Sequence, residues 1–232
     1  MINSSLDKRL LSCADYVRAG AVFADIGTDH GYLPLFLLKS GRIERAYLSD
    51  VNEGPLSTAR ANAQSEGLVD KCEFTLTDGA AALAGKGITD YAICGMGGEL
   101  IASIIGAAEQ LRSPDVRLIL QPMTKHAHLR RYLLREGFVI LEESYSLADG
   151  KYYVTILAEY SGEAREPDII EAELGSQDVR DGERVAYIGY LEGKKRAVIK
   201  ALEGKAGANL PTDTERQLLD AIIDRLICLN KT

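Results

Sequence analysis

The chain has 232 residues, 46% hydrophobic and 26% charged, enough for one α/β domain of ~150 residues and a smaller appendage. No apolar stretch approaches the ~18–20 residues that span a bilayer, and Met1-Ile2-Asn3-Ser4-Ser5 has neither the basic nor the apolar region of a secretory signal, so a cytoplasmic protein with no membrane partner is expected. The net charge of −7 speaks against nucleic acid only as a total, because local basic patches matter more.

Apolar positions recur at helical spacing from Ser5 to Val17, through Leu6, Leu10, Cys13 and Ala14. Ala21 to Ile26 reads as a buried strand, and Gly31 to Ser40 as a helix stopped by Gly41. Ala46 to Asp50 is a second strand. Pro55 suits the first turn of a helix ending near Glu66 and Gly67. Strands follow at Cys72–Thr77, Tyr91–Cys94 and Val116–Leu120, with helices expected at Glu99–Leu111 and Lys125–Glu136. The pattern then changes. Phe138 to Leu147 and Tyr152 to Tyr160 are strands flanking Ala148-Asp149-Gly150-Lys151, a hairpin signal. Ser161-Gly162-Glu163 looks like a linker. Beyond it one long helix is expected from Asp181 to Gly204, a break at Asn209-Leu210-Pro211, and a last helix opened by the capping box Thr212-Asp213-Thr214-Glu215. The four cysteines are scattered, with no C-x-x-C pair, and read as reduced thiols; no metal site is expected.

Alternating strands and helices closed by a hairpin predict an α/β fold, a Rossmann-like class I methyltransferase sheet with a terminal antiparallel hairpin. Residues 1–160 form this expected domain, and 161–232 a C-terminal helical coiled-coil domain.

Acids and glycines fall at four successive strand ends, the edge where open α/β sheets bind ligands. Asp25 ends the first strand, with Gly27 and Thr28 after it. Asp50 ends the second, with Val51 after it; Asp78 and Gly79 close the third, and Gly95-Met96-Gly97 the fourth. Each acid alone also suits a turn. Together they predict a cofactor site. A carboxylate in the first loop would repel a pyrophosphate, whose usual loop offers bare N–H groups and a positive helix end. It would attract an ammonium, as on S-adenosylmethionine. Asp25 is assigned to the ammonium, Asp50 to ribose hydroxyls and Asp78 to the adenine amino group. A nicotinamide enzyme should instead carry G-x-G-x-x-G.

Asp25-Ile26-Gly27-Thr28-Asp29-His30-Gly31-Tyr32-Leu33-Pro34, Asp50-Val51-Asn52-Glu53-Gly54-Pro55-Leu56, Gly95-Met96-Gly97-Gly98 and Leu120-Gln121-Pro122 together resemble the bacterial TrmK family. The resemblance covers about residues 6 to 160, and the helical tail matches the family's C-terminal coiled coil in kind. It implies an S-adenosylmethionine-dependent methyltransferase acting on N1 of adenine 22 of tRNA. One departure is Met123, where the family usually has Asn.

Adenine N1 already has a lone pair, so alignment with the methyl donor is the main task, worth ~7–11 kcal/mol. A carboxylate nearby would stabilise the positive charge that develops. Asp29, with His30 beside it, is the catalytic candidate. Asp29 is equally read as a helix N-cap, and His30 as a turn residue. Cys94 is read as a buried strand residue rather than a nucleophile. Three basic clusters are candidate RNA contacts: Lys8, Arg9 and Arg18; Lys125, His126, His128, Arg130, Arg131 and Arg135; and Lys194-Lys195-Arg196. The second lies next to the expected active edge, which makes Gln121, Pro122, Lys125, Arg130 and Arg131 the substrate-binding candidates. Tyr32, Tyr152 and Tyr153 are read as packing residues with a capacity to stack on a base. A small-molecule methyltransferase is the alternative, and a non-catalytic adaptor is a further reading. A monomer or weak dimer is expected.

Overall fold

The computed structural model describes residues 6–231. The N-terminal stretch 1–5, with the expected helix start at Ser5, lies outside the described residues, as does Thr232. In chain order the elements are α1 (Lys8–Tyr16), β1 (Ala21–Ile26), α2 (Tyr32–Lys39), β2 (Ile43–Asp50), α3 (Glu53–Ser65), β3 (Cys72–Leu76), β4 (Asp90–Gly97), α4 (Gly98–Gly106), β5 (Arg117–Thr124), α5 (His126–Arg135), β6 (Phe138–Ala148), β7 (Lys151–Tyr160), α6 (Ile169–Leu174), α7 (Arg184–Gly207) and α8 (Asp213–Lys231).

Seven strands form one sheet in the order β3-β2-β1-β4-β5-β7-β6. The first five run parallel, and β7 lies antiparallel between β5 and β6. The central strands are apolar because helices cover both faces. One face buries Ala24, Ile26, Ile93, Leu118 and Leu120, and the other Phe23, Leu48, Ala92 and Ile119. The order reverses between β1 and β4, which opens a crevice at their carboxyl ends. Asp25 pairs with Leu48 on one side and Ala92 on the other, so it stands at that crevice.

Several boundaries differ from expectation. β2 begins at Ile43 rather than Ala46, through an irregular pairing between Ala21 and Phe23. The exposed Glu44 and Arg45 there hide the strand from an apolar pattern. β4 runs through Gly97, so the glycine run is extended strand rather than a turn alone. α4 stops at Gly106, five residues before Leu111. α6 lies beyond the expected linker Ser161-Gly162-Glu163 and before the expected helix at Asp181, in a stretch with no separate helix expected, and Asp168 caps it by accepting from the Glu171 N–H at 2.8 Å.

Of the tail helices, α7 packs on the hairpin strands β6 and β7, and α8 packs on α7 and α6. Tyr187, Tyr190, Leu191, Ile222 and Leu226 share one apolar cluster with Tyr145, Val154 and Ile156 of the hairpin. A buried ion pair ties α5 to this region. Arg130 is 1% exposed, and its Nε donates to Glu143 Oε1 at 2.6 Å. Arg130 Nη1 also donates to the Ala172 carbonyl, and Glu143 Oε2 accepts from Tyr145 Oη and the Ser176 N–H. This corrects the reading of Arg130 as a substrate contact. It lies on the α5 face that carries Ala127, Leu133 and Leu134, and that face is turned inward.

Gly175 closes this network at φ +69, and a Cβ there would fall on Glu143 Oε2 and within 2.7 Å of Arg130 Nη2. Gly175→Ala therefore combines a positive-φ, extended backbone that only glycine adopts freely with overpacking of a buried ion pair, and should cost roughly 2–3 kcal/mol in chemical denaturation. A variant as stable as wild type would show that the network relaxes freely.

Candidate active site

A cavity of about 530 Å³ lies at the carboxyl ends of β1 to β4, within the range that holds a small ligand or cofactor. Asp25, Gly27, Thr28, Asp29, His30, Asp50, Val51, Asp78, Gly79, Gly95 and Met96 all line it. Gly97 does not. It precedes α4 as its cap residue, with φ −68 and ψ 144. Residues that the motif reading did not assign to the cavity also reach it. They come from α1 and the residue before it (Asp7, Arg9, Leu10), from α2 (Tyr32) and from α4 (Leu100, Ile104).

The first loop is a turn braced against β2. The N–H groups of Gly27 and Thr28 both donate to the Ser49 carbonyl, at 2.8 and 2.9 Å. Gly27 has φ +73, and a Cβ there would strike the Met96 methyl; glycine meets both demands. The Thr28 hydroxyl donates to Asp25 Oδ2 at 2.7 Å. The Asp25 side chain is buried, and that burial is the main force raising its carboxyl to about 6, opposed by the Thr28 bond and assisted by Asp50 and Asp29. The result is a desolvated acid that gains from a cation and loses from an anion.

Asp29 sits at φ +49, a left-handed conformation that Asp tolerates. It does not cap α2. Gly31 is the N-cap, and no side chain makes a cap bond there, which leaves Asp29 73% exposed at the cavity. His30 Nε2 lies 3.6 Å from Asp29 Oδ1, and the His30 ring lies 5.3 Å from that of Tyr32. Asp50 Oδ1 accepts from the Asn52 N–H at 2.8 Å, so one oxygen serves the turn.

Gln121 and Pro122 are buried behind the cavity rather than displayed in it. Gln121 Oε1 accepts from Arg9 Nη1 at 2.9 Å and from the Gly95 N–H at 3.1 Å. Its amide donates toward Met123 Sδ at 3.6 Å, and Met123 itself is exposed. Cys94 Sγ donates to Cys13 Sγ at 3.6 Å; that bond and burial push the Cys94 thiol well above its ordinary value, so it stays protonated and is no nucleophile.

The basic clusters are largely spent on the fold. Arg18 holds the fully buried Asp90 at 2.6 Å. Lys194 and Arg131 both pair with Glu173, and Lys125 with Glu99 at 3.5 Å. Burial, aided by Arg130 and Lys194, pushes His126 down to about 4; it is a neutral bridge between the Pro122 carbonyl and Tyr190 Oη. Lys8, Lys125 and His128 remain exposed. Tyr152 packs its ring against Gly189 of α7.

A methyltransferase-domain family model matches residues 6–156. Over 155 residues the chain is 36% identical to the tRNA (adenine(22)-N(1))-methyltransferase of Bacillus subtilis (strain 168), an alignment covering 66% of this chain and 65% of that protein. It thus spans just under two thirds of that relative's length. The Streptococcus pneumoniae protein Sp1610, solved in complex with S-adenosyl-L-methionine, is similar at TM-score 0.81 and 30% identity, over 96% of this chain and 100% of that one. M. capricolum TrmK, solved with S-adenosyl-homocysteine, is similar at TM-score 0.72 and 27% identity, over 97% of this chain and 96% of that one.

Proposed function

This chain belongs to the TrmK family of methyltransferases, and we propose that it transfers a methyl group from S-adenosylmethionine to N1 of adenine 22 of tRNA. The observation that carries the reading is the buried setting of Asp25 at the strand crossover, in a cavity rich in acids, with Asp50 and Asp78 at the next two strand ends. This is a hole for a cation on an amino-acid-bearing nucleoside, and it suits no phosphate.

When bound, the cofactor supplies a methyl group on a sulfonium. Asp25, held by Thr28, takes its ammonium. Asp50 accepts from the ribose with the oxygen the turn leaves free, and Asp78 with Gly79 takes the adenine edge. Val51, 62% exposed at the cavity, offers an apolar face for the adenine ring. Gly27 and Gly95 let the backbone approach, and Met96 and Gly97 bound the transfer region.

Asp29, exposed beside the transfer region, faces the target base and stabilises the positive charge that forms on it. His30 and Tyr32 flank it. Gln121 acts from behind, by accepting from the Gly95 N–H, and Pro122 pairs with Met96 in the sheet. Lys125, exposed just before α5, supplies positive charge for the RNA backbone, whereas Arg131 is held by Glu173. Residues 1–160 are the transfer unit and 161–232 the helical unit. Among the described residues no helix is long and apolar enough to cross a membrane, and we place the protein in the cytoplasm with its tRNA substrate.

The test is nucleoside analysis of tRNA after reaction with labelled cofactor. Label should co-elute with 1-methyladenosine. Label in N6-methyladenosine, or turnover that needs no RNA, would overturn the assignment.

A further inference from the structure

We infer that His126 is a positioning residue through which α7 of the helical tail fixes the loop from Pro122 to Lys125, and so the side of the site that meets the RNA. The inference rests on the tRNA reading above and deepens it. The loop joins β5 to α5 at the carboxyl edge of the sheet, with Met123, Thr124 and Lys125 exposed. It needs a brace, because Lys125 has φ +58, a left-handed conformation that a lysine disfavours. It also lies hard against the end of β4. Met96 pairs with Pro122 and Gly97 with Thr124, in irregular register, and a Cβ on Gly98 would come within 2.5 Å of the Lys125 carbonyl oxygen. A shift of the loop therefore moves the strand end that bounds the transfer region.

One imidazole supplies the brace. His126 Nε2 lies 3.2 Å from the Pro122 carbonyl oxygen, four residues back, and Nδ1 lies 3.4 Å from Tyr190 Oη. A carbonyl oxygen only accepts, so Nε2 carries the proton and donates, and Nδ1 of the neutral ring accepts from the Tyr190 hydroxyl. Burial keeps the ring neutral. Tyr190 is itself anchored. It is 6% exposed, and its ring lies 5.2 Å from that of Tyr145 and 5.8 Å from that of His126. One turn further along α7, Lys194 pairs with Glu173 at 3.0 Å. Tyr190, His126 and Pro122 thus form a continuous path from the tail to the loop. His126 is not among the residues lining the cofactor cavity, so a defect in the bridge should spare cofactor binding.

The experiment compares wild type, His126→Leu, His126→Gln, Tyr190→Phe and the His126→Gln/Tyr190→Phe double variant. Single-turnover methyl transfer to tRNA is read beside S-adenosylmethionine affinity, and hydrogen exchange of the loop amides is read in the same proteins. His126→Leu loses both bonds and should slow transfer by about 10- to 100-fold, with cofactor affinity within twofold of wild type. The Gln amide can still donate to Pro122 but gives up the bond to Tyr190. His126→Gln should therefore match Tyr190→Phe, each about 3- to 10-fold slow, with faster exchange in the loop. The double variant should be no slower than either single one, because both remove the same bond. If His126→Leu does not fold, the other three decide. Losses that multiply in the double variant would make the two residues independent packing groups and overturn the bridge. Transfer at the wild-type rate in all variants would overturn it too, and leave the loop held by its contacts with Gly97 and Gly98. Cofactor affinity that falls in step with the rate would place the effect in the cofactor cavity instead. Wild type that transfers no methyl to tRNA would sink the tRNA reading; the bridge is judged separately by exchange, and unchanged loop exchange in Tyr190→Phe overturns it whatever the activity.

Discussion

Asp25→Asn is expected to weaken S-adenosylmethionine binding by about 100-fold and, at the same time, to raise the melting temperature of the cofactor-free protein. The two effects share one cause. Burial raises the Asp25 carboxyl to about 6 from an ordinary 3.8. Its folded value is the higher one, so the folded state binds the proton more tightly than the unfolded chain. Ionisation of Asp25 then opposes folding in full above pH ~6, by roughly 3 kcal/mol, and the penalty fades as pH falls toward ~4. Asn keeps the shape and can still accept from Thr28, but it carries no charge to desolvate, so the empty protein gains several degrees. The ligand's ammonium loses its counter-ion, a loss of 2 kcal/mol or more at a desolvated site. Calorimetry between pH 5 and 8 checks both halves. Wild-type affinity should fall by up to tenfold per pH unit below ~6, where Asp25 must first give up its proton, while the profile of the variant is flatter there. Wild-type affinity in Asp25→Asn would remove the acid from the site.

Asp29→Asn should lower kcat by about 10²-fold or more and leave cofactor affinity within a few-fold of wild type. Asn is the informative substitution because it tolerates the left-handed backbone at φ +49 as Asp does. Asp29→Ala removes the charge but also strains that backbone, so it should be at least as slow. Asp29 makes no cap bond to α2, so loss of its charge should leave the helix intact. The check is single-turnover methyl transfer beside a cofactor titration. Wild-type kcat in Asp29→Asn with a slow Asp29→Ala would assign Asp29 a backbone role instead of an electrostatic one.

The parts of this architecture that were legible in the sequence are those with local signals. Buried strands such as Ala21–Ile26 announce themselves by apolar runs, and the acids and glycines at their ends follow within a few residues. The hairpin was legible from Asp149-Gly150 between two alternating runs. What escaped depends on long-range packing. Arg9 reaches the cavity because α1 lies across the hairpin strands, with Ser12 Oγ 2.8 Å from Thr155 Oγ1, and because Gln121, 112 residues away, holds its guanidinium. A Lys-Arg pair on a helix gives no hint of that. Arg130 looked like part of a basic surface, yet it sits where an inward residue belongs, three after Ala127 and four before Leu134. Its partner Glu143 lies in β6 among buried residues, so a charged pair facing inward from two elements was the available clue. The Asp29 cap reading failed for a local reason: Gly31, two residues on, takes the left-handed cap position instead.

The most direct measurement is transfer of labelled methyl from S-adenosylmethionine to an unmodified tRNA with adenine at position 22, beside the same tRNA with guanine there. The account predicts label on the adenine tRNA alone. Equal label on both, or none on either from protein that binds the cofactor, would contradict it.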